Sequence, residues 1–139
     1  MERILGLDVG DKTIGVALSD PLQLTAQGLT TIRRESKVKD FSVLESYIDE
    51  FQVKKIVVGL PKNMNGTIGL QGEKVIKFAD MVKNKFKVDI IYIDERLTTV
   101  AAERLLIEGD VRREKRKKVI DKIAATYILQ TYLDMEKEV

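Results

Sequence analysis

An α/β domain built on a mixed β-sheet is what this sequence predicts, and three observations lead there. Three short apolar runs open the chain in close succession, separated only by turn residues. Two further β-branched runs then alternate with stretches of helical spacing, and two more helical stretches close the chain. Strands that follow one another directly pair antiparallel, whereas strands joined through a helix pair in parallel. The expectation is therefore five strands, three antiparallel neighbours and then parallel ones, flanked by helices. A length of 139 residues with 44% hydrophobic and 33% charged content suits one domain spanning 1–139.

Ile4–Val9 is a buried-strand pattern ending beside an acid, Asp8. Gly10-Asp11-Lys12 supplies turn chemistry before Thr13–Ser19, a second strand in hairpin relation to the first. Asp20-Pro21 punctuates, and Gly28–Ile32 makes a third strand. Phe41, Leu44, Ile48 and Phe51 fall at helical spacing within Val38–Phe51. The β-branched run Lys54–Gly59 stops at Gly59-Leu60-Pro61, and Lys62–Gly72, with three Gly and two Asn, reads as a loop. Helical spacing returns through Val75, Ile76, Ala79 and Val82 over Gln71–Phe86, followed by a strand over Val88–Ile93. Thr98 or Thr99 is placed to cap a helix running to Glu108, with Gly109 as its stop. The last helix is expected over Val119–Met135, so that Asp121 opens it.

The residues that are missing restrict the chemistry. There is no Cys and no His. Thiolate nucleophiles, Cys- or His-ligated metals and Ser-His-Asp systems are excluded. Hydrolytic chemistry would have to run on carboxylates, Lys, Tyr, or a metal held by oxygen. The chain opens on a strand pattern without the features of a signal peptide, and no apolar run reaches the roughly 18 residues of a membrane helix. A cytoplasmic protein with no membrane partner is the expectation.

The formal net charge of +2 conceals an uneven distribution. Arg112, Arg113, Lys115, Arg116, Lys117 and Lys118 put six bases in seven residues, interrupted only by Glu114. The other residues hold 18 bases and 21 acids, a net of −3. Charge concentrated in this way suits a local anionic partner such as nucleic acid, although such runs also serve as plain solvated faces. No aromatic residue interrupts the run, so backbone and shape readout are expected there rather than base stacking.

Three acidic positions lie at the ends of elements: Asp8, the pair Asp94-Glu95, and Asp121. In α/β sheets, ligands gather beyond the carboxyl ends of the parallel strands. Each acid alone has an ordinary explanation, as a turn residue or as a partner of a helix dipole. Together they form a candidate metal site. Neighbouring carboxylates repel unless a cation neutralises them, and Mg²⁺ or Mn²⁺ suits an all-oxygen donor set.

Four motifs resemble those of the YqgF/RuvX family of the RNase H-like superfamily. Leu7-Asp8-Val9-Gly10 leading to Thr13–Ala17 is similar to its first motif. Val58-Gly59-Leu60-Pro61 with Asn65-Gly66 resembles its GLP…G loop, and Asp94–Thr99 its DERLT/S motif. Asp121-Lys122-Ile123-Ala124-Ala125 matches its DxxAA motif. The match holds in order and spacing from Ile4 to Leu133. It implies an RNase H-like fold and a metal-dependent nuclease. The family is assigned to processing the 5′ end of precursor 16S ribosomal RNA, and earlier to resolving Holliday junctions. The resemblance makes Asp8, Glu95 and Asp121 the catalytic and metal-holding acids. Neighbouring strand residues point oppositely, so either Asp94 or Glu95 could face the metal; the family pattern favours Glu95, with Asp94 in a supporting role. Asp8 would bridge two divalent ions, which together neutralise the phosphodiester, activate water and stabilise the leaving oxygen.

Further residues are candidates for binding nucleic acid. Gly10, Lys12 and Thr13 follow the first acid, where small or polar residues admit a phosphate; they equally make an ordinary hairpin turn. Arg96 could contact a phosphate bidentately or pair with an acid. Lys62, Asn63 and Asn65 line a flexible, Gly-rich loop after Pro61 that could grip a strand or be a plain solvent loop. Ala124-Ala125 reads as close packing of the last helix on the sheet. Rival readings are a junction resolvase on branched DNA, an ATPase suggested by Asp8-x-Gly10, and a non-catalytic nucleic-acid module. Monomer and homodimer both fit the sequence.

Overall fold

The computed structural model describes residues 2–98 and 113–137, without the side chains of 113–121. In chain order it contains β1 (Ile4–Val9), β2 (Thr13–Ser19), β3 (Ala26–Arg33), α1 (Lys37–Glu50), β4 (Lys55–Leu60), α2 (Leu70–Phe86), β5 (Asp89–Asp94), a 3-10 turn (Glu95–Leu97) and α3 (Arg113–Lys137). The strands form one sheet in the order β3-β2-β1-β4-β5. β1 pairs antiparallel with β2, and β2 with β3, while β1–β4 and β4–β5 are parallel. This is the expected mixed sheet.

Strand alternation divides the core into two layers. Leu5, Leu7 and Val9 of β1, with Ile56, Val58 and Leu60 of β4, pack against Phe41, Leu44 and Ile48 of α1 and Val75, Phe78, Ala79 and Val82 of α2. On the opposite face, Ile4, Ala17, Val57 and Ile93 meet Ala124, Ala125, Ile128, Leu129, Tyr132 and Leu133 of α3. The two alanines are buried against the sheet, as their small size suggests. Ser36 caps α1 by accepting from the Lys39 N–H at 3.2 Å, and Lys87 ends α2 in the left-handed conformation at φ 56°.

Several boundaries differ from the sequence expectation. β3 extends to Ala26 and Arg33 because β2, at seven residues, offers a full-length partner. α2 begins at Leu70, so Gly72, shared between the expected loop and the expected helix, lies within the helix. The largest difference is at the last helix, which is already formed at Arg113 rather than starting at Val119. Arg, Lys and Glu are strong helix formers, and no Gly or Pro separates Arg113 from the C-terminal end. Asp121 therefore lies inside α3, more than two turns from its start, and a first-turn dipole contact does not account for it. The helix expected from Thr98 or Thr99 to Glu108 falls largely outside the described residues. Among the described residues no helix is long and apolar enough to cross a membrane.

Candidate active site

The site is set by which face of the sheet each strand end presents. Leu7 and Val9 enter the layer beneath α1 and α2, so Asp8 between them belongs to the face covered by α3. Its residue is only 8% exposed, and it stands opposite Gly15 of β2. Leu7 pairs with Val58 of β4, which brings Asp8 level with Gly59, one residue further along both parallel strands.

Gly59 governs the approach of the second carboxylate. A Cβ there would lie 2.9 Å from Oε1 of Glu95 and 2.4 Å from Cδ1 of Ile128 in α3. With no side chain at Gly59, the Glu95 carboxylate lies back over β4 beneath that helix. Glu95 opens the 3-10 turn immediately after β5. Asp8 and Glu95 are thus brought to one corner, at the carboxyl ends of β1, β4 and β5.

Asp94 is engaged differently. Its Oδ1 accepts from the Arg96 N–H at 2.9 Å, capping the turn, and its two oxygens take the Arg96 guanidinium at 2.7–3.1 Å. Lys62 Nζ stands 3.9 Å from the same carboxylate. The Arg96 hydrogen bonds hold the Asp94 carboxyl below its ordinary range, against some desolvation, and raise the pKa of Arg96 in turn. Of the two partners open to Arg96 in the sequence, the structure shows the acid.

α3 crosses this face antiparallel to β1. Lys55, at the start of β4, donates to the Tyr132 hydroxyl at 3.1 Å. Further along, a Cβ on Gly6 would meet Leu129 Cβ at 2.7 Å and the Ala125 carbonyl at 3.0 Å. Asp121 precedes Ala125 by one turn, which carries its backbone toward the strand ends where Asp8 sits. Arg113, Lys115, Arg116, Lys117 and Lys118 occupy the opening turns of the same helix, while Arg112 falls outside the described residues.

The remaining candidates surround the corner. The Gly10 N–H donates to the Thr13 carbonyl at 2.9 Å, closing the turn that follows Asp8, and Lys12 is exposed on it. Asn63 and Asn65 are committed to their own loop. Asn63 Nδ2 donates to Thr67 Oγ1 at 2.9 Å, and Asn65 Oδ1 accepts from the Thr67 N–H and hydroxyl at 3.1 and 2.6 Å. These hydrogen bonds fasten the loop as a turn.

Sequence reasoning missed two contributors. Gly59 read as a strand stop but lies inside β4; a glycine within a β-branched run is a recognised sign of close approach. Arg34 braces the turn after Asp8. Its Nη1 donates to the Gly10 carbonyl at 2.8 Å, its Nε lies 3.5 Å from buried Asp40, and its guanidinium lies over the Phe78 ring at 5.0 Å. An arginine after an edge strand carries no signal in sequence that separates it from a surface charge.

The donors fit a hard divalent cation. All are oxygens, Asp8 is nearly enclosed, and Gly59 opens the space that admits Glu95 beside it. Among the described residues no group of three acids gathers; the side chain of Asp121 is not among them.

Among the described residues, a mixed sheet with the order 3-2-1-4-5, two helices on one face, one on the other and acids at the central strand ends defines an RNase H-like domain. Solved structures share the fold. Thermus thermophilus RuvC in complex with Holliday junction substrate superposes with a TM-score of 0.63 at 11% identity, covering 100% of this chain and 98% of that one. The Fowlpox virus resolvase with substrate Holliday junction DNA gives a TM-score of 0.56 at 12% identity, over 96% and 98% of the two chains. Residues 2–135 match the family described as "RuvX: Holliday junction resolvase", and this chain belongs to that family. Two relatives carry the name "Putative pre-16S rRNA nuclease". That of Caldanaerobacter subterraneus subsp. tengcongensis is 61% identical over 97% of this chain and 98% of its own length. That of Clostridioides difficile strain 630 is 64% identical over 96% and 95%.

Proposed function

We propose that this protein is a divalent-metal-dependent nuclease of the cytoplasm that hydrolyses phosphodiester bonds and processes the 5′ end of precursor 16S ribosomal RNA. The observation that carries the reading is the convergence of Asp8 and Glu95 over Gly59 at one end of the sheet, in a chain more than 60% identical to relatives bearing that name.

Asp8, Glu95 and Asp121 would hold Mg²⁺ or Mn²⁺, in a pair of ions. When bound, the ions supply charge neutralisation and an activated water, which a chain without histidine cannot draw from a neutral-range protein base. The protein's own part is placement. Burial of Asp8 in the sheet fixes one carboxylate, and the 3-10 turn fixes the other. Asp94 holds Arg96 and Lys62 beside the corner, so that the trio presents net positive charge to a phosphate without crowding the acids. The basic run at the start of α3 draws the polyanion toward the same end.

A second reading, resolution of branched DNA, is favoured by the description of the family as a Holliday junction resolvase. Cutting a four-way junction symmetrically needs two active sites and hence a paired chain. Matched 5′-extended RNA and junction DNA, each offered with Mg²⁺ or Mn²⁺, separate the two. Trimming of the RNA with an intact junction supports the first reading; paired nicks in the junction with intact RNA replace it with the second.

A further inference from the structure

Between β4 and α2 the backbone is fastened from two sides. The Asn63 N–H donates to the Thr67 carbonyl and the Gly66 N–H to the Asn63 carbonyl, both at 2.9 Å. Gly66 makes this turn possible by adopting φ +88°, which a side chain would strain. From the turn after β5, Arg96 Nη1 donates to the Met64 carbonyl at 3.2 Å, while Asp94 holds the rest of that guanidinium. The tip is therefore tied to the residue that follows Glu95.

On that tip Met64 is 98% exposed. A single exposed apolar residue needs no explanation. Here, however, Leu70 at 80%, Leu97 at 67% and Ile68 at 42% are exposed on the same two segments that Arg96 ties together. A rigid turn holding a thioether into solvent beside a carboxylate corner is a device for contact, with Lys62 and Arg96 as its cationic flank. Through Arg96 the tip adjoins the turn that carries Glu95, so a polyanion held at that corner would pass beside it. Methionine sulfur packs well on aromatic faces, and apolar side chains inserted at a base step unstack it.

We propose that Met64 is a base-contacting wedge, against which a nucleobase next to the phosphate at the carboxylate corner packs after leaving its stack. The proposal rests on the nuclease reading above, and its test separates the two. The full-length Asp8→Asn chain is bound to an RNA duplex with a 5′ single-stranded extension, carrying 2-aminopurine at the duplex end. The expected result is a rise in 2-aminopurine fluorescence on binding. Met64→Ser abolishes that rise and weakens binding by about fivefold, near the low end for one stacked base. Met64→Phe restores it. An equal rise with Met64 and with Ser overturns the wedge and leaves the patch to a protein partner. Cleavage of this RNA by the unsubstituted chain, without a Met64-dependent rise, rejects the wedge alone. A Met64-dependent rise without cleavage supports the wedge and rejects the nuclease assignment.

Discussion

Gly59 and Glu95 show how one absent side chain can set a site. A Cβ at Gly59 cannot coexist with both Ile128 Cδ1 at 2.4 Å and Glu95 Oε1 at 2.9 Å. Gly59→Ala should therefore cost about 1–3 kcal/mol, the usual range for overpacking, and slow cleavage by displacing Glu95. Urea unfolding and initial rates on the same preparation check both parts. Stability loss with an unchanged rate would detach Gly59 from the site. Glu95→Gln should slow cleavage at least about a hundredfold with little change in melting temperature, the scale of losing one contact that stabilises the transition state. Asp94→Asn should instead loosen the turn that carries Arg96, and leave more of the rate. Sequence revealed acids at strand ends, because an apolar run interrupted by Asp near its end is visible in the order of residues. It could not distinguish Asp94 from Glu95 by alternation, since the strand period breaks where β5 gives way to the 3-10 turn.

At the scale of elements, turns and helix packing carry separate predictions. The β2–β3 connection is built on Asp20, whose carboxylate accepts from the N–H groups of Leu22, Leu24 and Thr25 at 3.2, 2.6 and 2.8 Å. The Thr25 N–H is the main cause of its depressed pKa. A carboxyl with a folded pKa below its unfolded value near 3.8 stabilises above that value and loses the contribution as pH falls through the folded one. Asp20→Asn should accordingly lower the urea midpoint at neutral pH and flatten its fall below about pH 4. Parallel acid profiles in the two chains would refute that account of the turn. Leu129→Ala, beneath the close approach of α3 to Gly6, should cost about 2–5 kcal/mol. The strands and the apolar faces of α1 and α2 were legible because burial imposes period on sequence. The start of α3 was not: its opening turns are almost wholly basic, and a solvated charge run reads alike as coil or helix. That is why Asp121 was expected at a helix end instead of within one.

Across the whole molecule, a mildly acidic body carries a carboxylate corner, and one basic run opens the helix that leads toward it. Affinity for RNA should therefore fall steeply with salt. Replacing Lys115, Arg116, Lys117 and Lys118 with Gln should reduce the slope of log K against log salt by about 3, as expected for loss of four phosphate contacts to a single strand. Anisotropy titrations at several salt concentrations measure it, and an unchanged slope would mean that the run faces away from the substrate. The topology that joins these parts was legible in outline, since direct strand succession and helical crossovers dictate antiparallel and parallel pairing. Which face α3 covers was not, because that depends on glycines whose role appears only when the helix lies on them. The central claim is that Asp8 belongs to a metal-dependent site for cutting nucleic acid. The most direct test is cleavage of 5′-extended precursor 16S RNA in Mn²⁺ or Mg²⁺ by the unsubstituted and Asp8→Asn chains, with thermal melting of both. The account predicts trimming that stops on chelation and falls at least about a hundredfold in Asp8→Asn, with the fold retained. Equal cleavage by a folded Asp8→Asn chain, or trimming that persists without divalent ions, would contradict it.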